Sequence, residues 1–584
     1  MQRSLEVLRR VGGSPHVRWI AIAAGLLLTA PSLFAGLASE DHVLRAIARG
    51  PAMVPPWHVN LWGLDSLILP ADRPAYVLAL KSFGAIPWIA DERFIVALWR
   101  PLASWTHHLD WRFAGAPPWV AHLHSLAWYA GAIAAAASAH RRFASTAVVA
   151  GVATLLFAVD DAHGHAVGWI ANRSALLATT FGLLALASQD RLVRDGARRW
   201  SARLAPSVWL LLALLSSEYG VGALGFLVAH AWVLDPAPRW RRVLGALPWL
   251  ATTALWAAAY RALGHGSEGS GVYVDPLVAP LAFAASASTR WVALAAGLFA
   301  APPSDVWNAY PPDSIPWLLA PGVLIVALVI GLLRPSVATP TTRFWALGTA
   351  LALVPACAAF PQDRLLVLPS AGSAALLAEL LGAAPVDAAR RVGAWLLFAV
   401  HAVVAPAALP WRSLTMHRYE RDLAAARESA LALVRTPRDH LLLVNAPDWY
   451  FGSHVLLSRD PEGDPTPPRT LVLAGTLRRT EVTRVDVNSV VVRPEGGFFL
   501  ETFNRIYRAL SAPVAAGQSI YVPGLQITFL ETSPEGQPLA VRFRADRRLE
   551  APTLRWARWE GGRYVEVQPP AVGETLVVGG EGGR

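Results

Sequence analysis

The stretch "FAVDDAHGHAVGWIANRSALL", residues 157–177, places two aspartates, two histidines and one arginine between two apolar runs. The flanking runs, near 144–160 and 174–190, are long enough to cross a bilayer, which takes about 17 to 25 apolar residues in a helix. Ionisable groups at the end of a span cost free energy unless water, an opposite charge or a ligand solvates them. The pattern therefore predicts membrane helices that meet at a polar cavity.

The composition of the whole chain agrees with a membrane protein. Of its 584 residues, 54% are hydrophobic and 16% are charged, which is too apolar for a typical soluble domain. The net charge of +10 does not indicate nucleic acid, because the arginines lie in short clusters between apolar runs. The single cysteine, Cys357, excludes disulfides within the chain and metal sites built from cysteines.

We predict an α-helical polytopic membrane protein with about eleven transmembrane helices and a C-terminal β-rich soluble domain. The spans are expected near 19–37, 118–138, 144–160, 174–190, 206–217, 219–234, 243–262, 316–333, 343–359, 365–383 and 391–410. The break at Glu218 divides one long apolar run into two of these spans. A further apolar segment, 276–302, carries Arg290 at its centre and is expected to lie at the outer interface.

The positive-inside rule orients this helical domain in a bacterial inner membrane. With a retained first helix and a cytoplasmic N-terminus, the arginine clusters near 141, 194, 241, 334 and 390 all fall on the cytoplasmic side. The domain is expected to cover residues 1–410, including a long first periplasmic loop at about 38–117. Residues 411–584 are expected to form a periplasmic domain, a short helix followed by strands. In it, "VNSVVVRPEGGFFLE" and "LRWARWEGGRYVEV" both predict hairpins with Gly-Gly turns.

This topology brings five separate groups of ionisable residues to the outer membrane face. They are Glu40 and Asp41; Arg100, His107 and His108; Asp160, Asp161, His163, His165 and Arg173; Glu218; and Asp363 and Arg364. Such a cavity suits transfer from an anionic lipid carrier, because a carboxylate can deprotonate an acceptor hydroxyl and arginines can hold a phosphate. The sequence contains no Walker A motif and no GxGxxG motif between a strand and a helix, so no soluble-nucleotide site is indicated.

Four of these stretches, in order, resemble the membrane core of the GT-C glycosyltransferases. They are "WRPLASWTHHLDWRFAGAPPWVAHLHSL", "FAVDDAHGHAVGWIANRSALL", "LLALLSSEYGV" and "FPQDRLLVLPSAG". The chain is most similar to the protein O-mannosyltransferases and the transmembrane-and-TPR O-mannosyltransferases. The resemblance covers about residues 19–410, and the C-terminal region carries no TPR pattern.

The resemblance implies an inverting glycosyltransferase that takes a sugar from a polyprenyl-phosphate-linked donor. It implies a catalytic base in the acidic pair Glu40–Asp41, with Asp41 as the expected base. It also implies substrate contacts at Arg173, Glu218 and Arg364. From their place on the same membrane face, we expect further donor-phosphate or substrate contacts from Asp160, Asp161, Arg100 and His163. Asp160–Asp161, His165 and Ser217 stand where relatives show His-Pro, Glu and Lys, which leaves the donor headgroup and the acceptor open.

Two alternatives stay open at this point. A non-catalytic polytopic protein, such as a lipid-linked glycan transporter or an envelope assembly factor, could use the same scaffold. The carboxylates and imidazoles of 160–165 are also ligand types that suit a divalent cation, although no cofactor is certain from the sequence. The sequence identifies neither the sugar nor the acceptor, which is a protein, a lipid or a glycan.

Overall fold

The computed structural model describes residues 2–50, 73–196, 199–300, 302–310, 314–335, 338–382, 387–458 and 469–580. Part of the predicted first loop, 51–72, therefore lies outside the described residues. The chain is mostly helical up to residue 431 and rich in strands beyond it, which confirms the predicted fold class of a helical membrane protein with a β-rich C-terminal region.

Twenty α-helices are described. They are α1 Gln2–Gly12, α2 Val17–Thr29, α3 Glu40–Arg49, α4 Arg73–Phe83, α5 Pro101–His108, α6 Pro118–Phe143, α7 Ala147–Ala158, α8 His163–Gly168, α9 Arg173–Arg194, α10 Trp200–Ser216, α11 Gly222–Ala229, α12 Arg239–Ala262, α13 Pro280–Phe299, α14 Ile315–Leu333, α15 Pro340–Ala356, α16 Ser370–Gly382, α17 Ala388–Ala399, α18 Ala405–Arg412, α19 Thr415–Leu431 and α20 Trp449–Leu457.

The helices match the predicted spans in position, and the chain is a multi-pass membrane protein. Within the described residues, six helical segments are long and apolar enough to cross a membrane: Val17–Phe34, Ile170–Arg194, Arg239–Ala262, Pro280–Phe299, Ile315–Leu333 and Ala388–Leu431. One of the six is the segment expected at the outer interface, so the number of crossings stays a prediction. The expected domain boundary at residue 410 falls inside α18 and likewise stays a prediction.

The break at Glu218 is present between α10 and α11. Ser217 adopts an extended conformation, and its hydroxyl accepts a hydrogen bond from the backbone N–H of Tyr219. Residues Glu218–Val221 then form a single 3₁₀ turn before α11 begins. In this short irregular segment, the Glu218 carboxylate contacts Arg100 and the backbone of Trp99 in the first loop.

Within the described residues, twelve strands form three sheets. They are β1 Ile95–Ala97, β2 Gly266–Glu268, β3 His440–Asn445, β4 Arg469–Ala474, β5 Thr480–Asp486, β6 Ser489–Pro494, β7 Ser519–Val522, β8 Leu525–Thr532, β9 Pro538–Ala545, β10 Leu554–Glu560, β11 Arg563–Glu566 and β12 Thr575–Val578. The strand pair β1–β2 is antiparallel, and the six-stranded sheet has the order β12-β5-β6-β9-β8-β7. The third sheet has the order β11-β10-β3-β4, in which β3 is parallel to both β10 and β4.

The two predicted hairpins have different outcomes. β10 and β11 form the hairpin expected around Gly561–Gly562. The other prediction is wrong, because β6 pairs with β5 before it and with β9, while the residues after Gly496–Gly497 lead into a 3₁₀ turn at Thr502–Ile506. The parallel pairs β3–β4 and β3–β10 were not expected, although the continuous apolar run of β3 is typical of a strand buried on both faces.

The C-terminal region packs on the first loop and on the stretch between α7 and α9. Trp88 of the first loop is fully buried against Trp449 and Phe543, and its indole N–H donates to Val472. Gly168 lies so close to Ser413 that any Cβ would collide with the Ser413 carbonyl oxygen. These contacts fix the β-rich region against the first loop and the segment that joins α8 to α9.

Candidate active site

A cavity of about 460 Å³ lies where the membrane helices, the first loop and the C-terminal region meet. Four of the residues singled out in the sequence line it, namely Glu40, Arg100, Glu218 and Arg364. A cavity of this size is in the usual range for small-molecule sites. Most of the lining is apolar or aromatic, so the few charged groups decide its chemistry.

Arg100 and Glu218 form an ion pair on the cavity wall. The Arg100 Nε lies 2.9 Å from Glu218 Oε2, and the backbone N–H of Trp99 donates to Glu218 Oε1 at 3.0 Å. The pair joins the start of α5 to the break between α10 and α11. Both charges are therefore neutralised within the protein.

A second ion pair on the wall joins Arg261, near the end of α12, to Asp275. Arg364 has a different environment. Its Nε donates to the Gln362 side chain, and its guanidinium lies over the Trp169 ring, 5.4 Å from the centroid. Among the described residues, no carboxylate lies within 4.0 Å of the Arg364 guanidinium. Arg364 is thus a cation of the cavity with no direct ion pair in the described part of the chain, and Glu40 is the carboxylate of the same cavity that interacts with it at longer range.

Glu40, at the start of α3, is held by two hydroxyl groups. Ser39 Oγ lies 2.7 Å from Glu40 Oε2, and Tyr450 Oη lies 2.5 Å from Glu40 Oε1. The two hydroxyl oxygens are themselves 2.7 Å apart. Burial, reinforced by the Glu40 carboxylate, raises the pKa of Tyr450 well above its usual value, so its hydroxyl keeps its proton. The carboxylate faces the cavity in a fixed orientation.

The backbone at Ser39 is strained. Ser39 has φ of 52° and ψ of −120°, and it is the one residue other than glycine with positive φ in the described part of the chain. Its N–H donates to Glu420 Oε2 at 3.1 Å, and Glu420 is itself paired with His42 and Arg427. Strain of this kind persists where surrounding contacts hold it, and it concentrates at functional sites.

Asp41 lies behind the cavity rather than on its wall. Its side chain is 0% exposed and accepts hydrogen bonds from the backbone N–H groups of Ala38 at 3.1 Å and Ala171 at 2.7 Å. Burial is the main cause that raises the pKa of Asp41 to about 8. The structure therefore places Glu40, and not Asp41, where a ligand in the cavity can be reached.

Arg173 is also fully buried and has a complete set of partners. Its guanidinium pairs with Asp110 at 2.7 Å and donates to Thr106, Ser125 and the carbonyl of Ala121. These contacts tie the start of α9 to α5 and α6. Arg173 does not line the cavity.

Asp160 and Asp161 lie in a neighbouring acidic cluster around Arg412. The Arg412 guanidinium contacts Asp305 at 2.8 Å, Asp363 at 2.5 Å and Asp161 at 3.7 Å. Burial first, and Asp161 second, raise the pKa of Asp160 to about 8. Burial also raises the pKa of Asp363. One arginine thus serves several carboxyl groups that cannot all ionise at little cost.

The two histidines of the same stretch have different roles. His163 is buried and bonded to Ser370 at 2.7 Å and to Tyr129 at 3.1 Å, whereas the His165 ring stacks on Trp169. Within the described residues, no group of three or more His, Cys, Asp or Glu side chains could hold a metal ion. Trp169 thus links His165 to Arg364 at the edge of the cavity.

Sequence reasoning did not find the residues that the C-terminal region contributes. Tyr450, His454 and Tyr507 line the cavity, and Tyr450 contacts Glu40 directly. Tyr450 belongs to α20, which begins four residues after β3 ends, at the carboxyl edge of parallel strands. Ligand sites of α/β units lie at this edge, so recognition of β3 as a parallel strand is the signal that could have found it.

No protein-family model and no curated protein matches the chain. Solved structures similar to it include ArnT from Cupriavidus metallidurans bound to undecaprenyl phosphate, at 14% identity, with 78% of this chain and 89% of that chain covered and a TM-score of 0.38. The archaeal oligosaccharyltransferase AglB from Archaeoglobus fulgidus, in complex with an inhibitory peptide and a dolichol-phosphate, is 12% identical over 78% of this chain and 65% of its own, with a TM-score of 0.36.

The arabinofuranosyltransferase AftD from Mycobacteria is 17% identical over 92% of this chain and 40% of its own, with a TM-score of 0.32. All three structures have identities of 12–17% and TM-scores below 0.5, so they carry no argument about the family of this chain. At such TM-scores the likeness supports no assignment of individual residues. The narrower resemblance to the O-mannosyltransferases stays a prediction.

Proposed function

We propose that the chain is a GT-C-type glycosyltransferase that moves a sugar from a polyprenyl-phosphate donor to an acceptor hydroxyl. The cavity is the active site, and it faces the periplasm of a bacterial inner membrane. The N-terminus is cytoplasmic, and the C-terminal region is periplasmic. The acceptor is a protein, a lipid or a glycan.

The charge balance of the cavity carries this proposal. Its lining holds two ion pairs, Arg100–Glu218 and Arg261–Asp275, which neutralise four of the charged groups. Arg364 and Glu40 are left, and Arg364 has no carboxylate partner in the described part of the chain. A guanidinium that faces a mostly apolar cavity without a direct ion pair is expected to bind an anion, and its planar donor pair matches a phosphate.

The wall of the cavity supports a lipid as the bearer of that phosphate. Thr253, Trp256, Ala257 and Tyr260 of α12 line the cavity at the spacing of one helix face. The other side of α12 is apolar and open, with Leu255 at 72% exposure. A single helix therefore separates the cavity from the hydrocarbon, so a polyprenyl tail can leave along it.

The reaction balances with the groups present. Glu40 takes the proton of the acceptor hydroxyl as its oxygen forms a bond to the anomeric carbon of the sugar. The bond from that carbon to the phosphate oxygen breaks, and its electron pair stays on the phosphate beside Arg364. Such an in-line displacement inverts the anomeric carbon. Stabilisation of the leaving phosphate by a fixed cation is the largest expected contribution from the protein.

The other predicted site residues hold this arrangement in place. Asp41 ties the start of α3 to Ala171, and Arg173 joins α9 to α5 and α6. The carboxylates of Asp161 and Asp363 contact the Arg412 guanidinium. Because a cationic side chain lies between them, this cluster does not suit a divalent cation. No step of the reaction is assigned to a metal.

A transfer assay with Glu40→Gln tests the proposal. The glutamine side chain can keep a hydrogen bond to each of the Ser39 and Tyr450 hydroxyls, so the fold is expected to survive while the base is lost. Purified protein is given a panel of undecaprenyl-phosphate monosaccharides, with membrane vesicles as the source of acceptor. We expect Glu40→Gln to release undecaprenyl phosphate at least about 100-fold more slowly than the unchanged protein.

Two outcomes count against the proposal. If the unchanged protein turns over none of the donors, the enzyme reading fails and a carrier of lipid-linked glycans becomes the better account. If Glu40→Gln works at the normal rate, Glu40 is not the base. Arg261→Gln, which changes a paired arginine of the same cavity, is the control for loss of a positive charge.

A further inference from the structure

We infer that Ser39, Glu40 and Tyr450 form a proton-accepting ring, in which the C-terminal region supplies Tyr450 as a positioning residue for the base. The inference rests on the proposed function, in which Glu40 is the base. It assigns to the C-terminal region a direct part in the chemistry. The observation behind it is a set of three short contacts among four oxygen atoms, namely the two carboxylate oxygens of Glu40 and the hydroxyl oxygens of Ser39 and Tyr450.

The ring has three edges, and each is short enough for a hydrogen bond. Tyr450 Oη to Glu40 Oε1 measures 2.5 Å, Ser39 Oγ to Glu40 Oε2 measures 2.7 Å, and Ser39 Oγ to Tyr450 Oη measures 2.7 Å. Hydrogen bonds between oxygens usually measure about 2.5–3.0 Å. All three edges can therefore hold a proton.

The number of protons depends on the state of Glu40. When Glu40 is ionised, the two hydroxyl groups bring two protons to three edges, so one edge has no hydrogen bond. When Glu40 has taken a proton, three protons serve three edges and the ring closes. Hydrogen bonds in a closed chain also strengthen one another. The ring is thus more complete after proton transfer than before it, which is what a base in catalysis requires.

Two elements of the C-terminal region hold the ring in place. Glu420 of α19 accepts the Ser39 N–H and maintains the strained backbone that points Ser39 Oγ at Glu40. Tyr450 belongs to α20, whose first turn is capped by Asp448 accepting from the Phe451 N–H at 2.7 Å. The ring exists only when the first loop and the C-terminal region are packed together.

Tyr450→Phe removes the hydroxyl group and keeps the aromatic side chain in place. Tyr419→Phe is a matched control, because Tyr419 is a tyrosine beside Tyr450, with ring centroids 6.3 Å apart, and its hydroxyl has no partner among the described residues. Ser39→Ala tests a second member of the ring while keeping a residue with a Cβ at the strained position.

The readout is donor turnover in the undecaprenyl-phosphate assay with membrane vesicles. We expect Tyr450→Phe and Ser39→Ala each to lower kcat about tenfold or more, with the KM for the donor within about twofold, since misplacement of a reacting group acts on the chemical step. The double variant is expected to be little slower than the worse single variant, because either change opens the ring. Tyr419→Phe is expected to match the unchanged protein.

The ring is contradicted if Tyr450→Phe keeps the normal kcat, or if Tyr419→Phe falls equally. It is also contradicted if the two ring variants lose donor affinity and not turnover, or if their effects multiply. The activity of Glu40→Gln distinguishes failure of the ring from failure of the proposed function. If Glu40→Gln is inactive and Tyr450→Phe has normal activity, the role of the ring is ruled out and the role of Glu40 as base is kept. If Glu40→Gln is fully active, both roles are ruled out.

Discussion

Arg100 and Glu218 lie 118 positions apart in the chain, and their side chains form an ion pair of 2.9 Å on the wall of the cavity. Their side chains are 9% and 23% exposed, so neither charge is well solvated by water. The pair holds the first loop against the break between α10 and α11. The loop carries Arg100 and the membrane region carries Glu218, so the contact closes one side of the cavity.

Replacement of Arg100 by Met is expected to destabilise the protein, because it removes the ion pair of Glu218 and keeps the hydrogen bond from the Trp99 N–H. Loss of one partner of a buried pair costs about 3–5 kcal/mol, and the partial exposure of Glu218 puts the expected cost at the lower end. Thermal unfolding in detergent measures it. The double variant Arg100→Met, Glu218→Leu is expected to recover part of the loss, and a double variant as unstable as the single one would contradict this account.

Arg364→Gln is expected to weaken binding of undecaprenyl phosphate about tenfold to a hundredfold, because hydrogen bonds to charged groups contribute about 1.5–3 kcal/mol. Arg364→Lys keeps the positive charge but lacks the planar guanidinium. Its affinity for undecaprenyl phosphate is expected to lie between that of Arg364→Gln and that of the unchanged protein. The shift of the thermal unfolding midpoint by added undecaprenyl phosphate is the measurement. An equal loss in Arg261→Gln, whose arginine is already paired with Asp275, would show that Arg364 has no special role.

A bulky residue on the inner face of α12 is expected to exclude the lipid carrier. Ala257 lines the cavity, whereas Leu255 points away from it and is 72% exposed. Ala257→Trp is expected to abolish binding of undecaprenyl phosphate, and Leu255→Trp on the same helix is expected to leave it unchanged. The same binding measurement distinguishes them, and normal binding by Ala257→Trp would place the lipid elsewhere.

Asp160 gives the fold a dependence on pH. Since burial raises its pKa from 3.8 to about 8, the folded protein holds a proton that the unfolded chain has released between about pH 4 and pH 8. Unfolding then releases a proton, so the free energy of unfolding falls as the pH rises through this window, by at most about 1.4 kcal/mol per pH unit for one group. Above about pH 8 the contribution of Asp160 levels off.

Asp160→Asn is expected to make this fall shallower. Its amide oxygen can still accept the hydrogen bond from the Ala162 N–H at 3.0 Å, so the local turn is kept. The measurement is the unfolding midpoint at pH 5 and pH 8. Asp546→Asn is the control, because the pKa of Asp546 is lowered, chiefly by its hydrogen bond with Arg547. A slope for Asp160→Asn equal to that of the unchanged protein would contradict the assignment.

The sequence predicted the positions of the apolar helices, because each needs only a local run of apolar residues, whereas the number of crossings stays a prediction. The choice between Glu40 and Asp41 could not be made in the same way. Neighbouring residues on a helix point about 100° apart. Which of them meets the cavity depends on Ala38, Ala171 and Tyr450, and Ala171 and Tyr450 are far away in the chain.

Arg173 and Tyr450 both show that the partners of a side chain cannot be predicted from local sequence. Arg173 matched a motif, yet its partner Asp110 lies in a π-helical turn that the sequence suggested was a loop. Tyr450 belongs to a region with no motif, and it reaches Glu40 because the C-terminal region packs on the first loop. Local patterns predict elements, whereas the partners of a charged side chain depend on contacts between distant segments.

The most direct test of the proposed site is a structure of the full-length protein with undecaprenyl phosphate bound. We expect the phosphate oxygens at hydrogen-bond distance from the Arg364 guanidinium, about 2.7–2.9 Å, with the polyprenyl chain along Thr253, Trp256 and Tyr260 of α12. Glu40 is expected on the open side of the phosphate, where a sugar and an acceptor hydroxyl can lie between them. A phosphate bound at Arg412 or at the opposite membrane face, with the cavity at Arg364 left empty, would contradict the account.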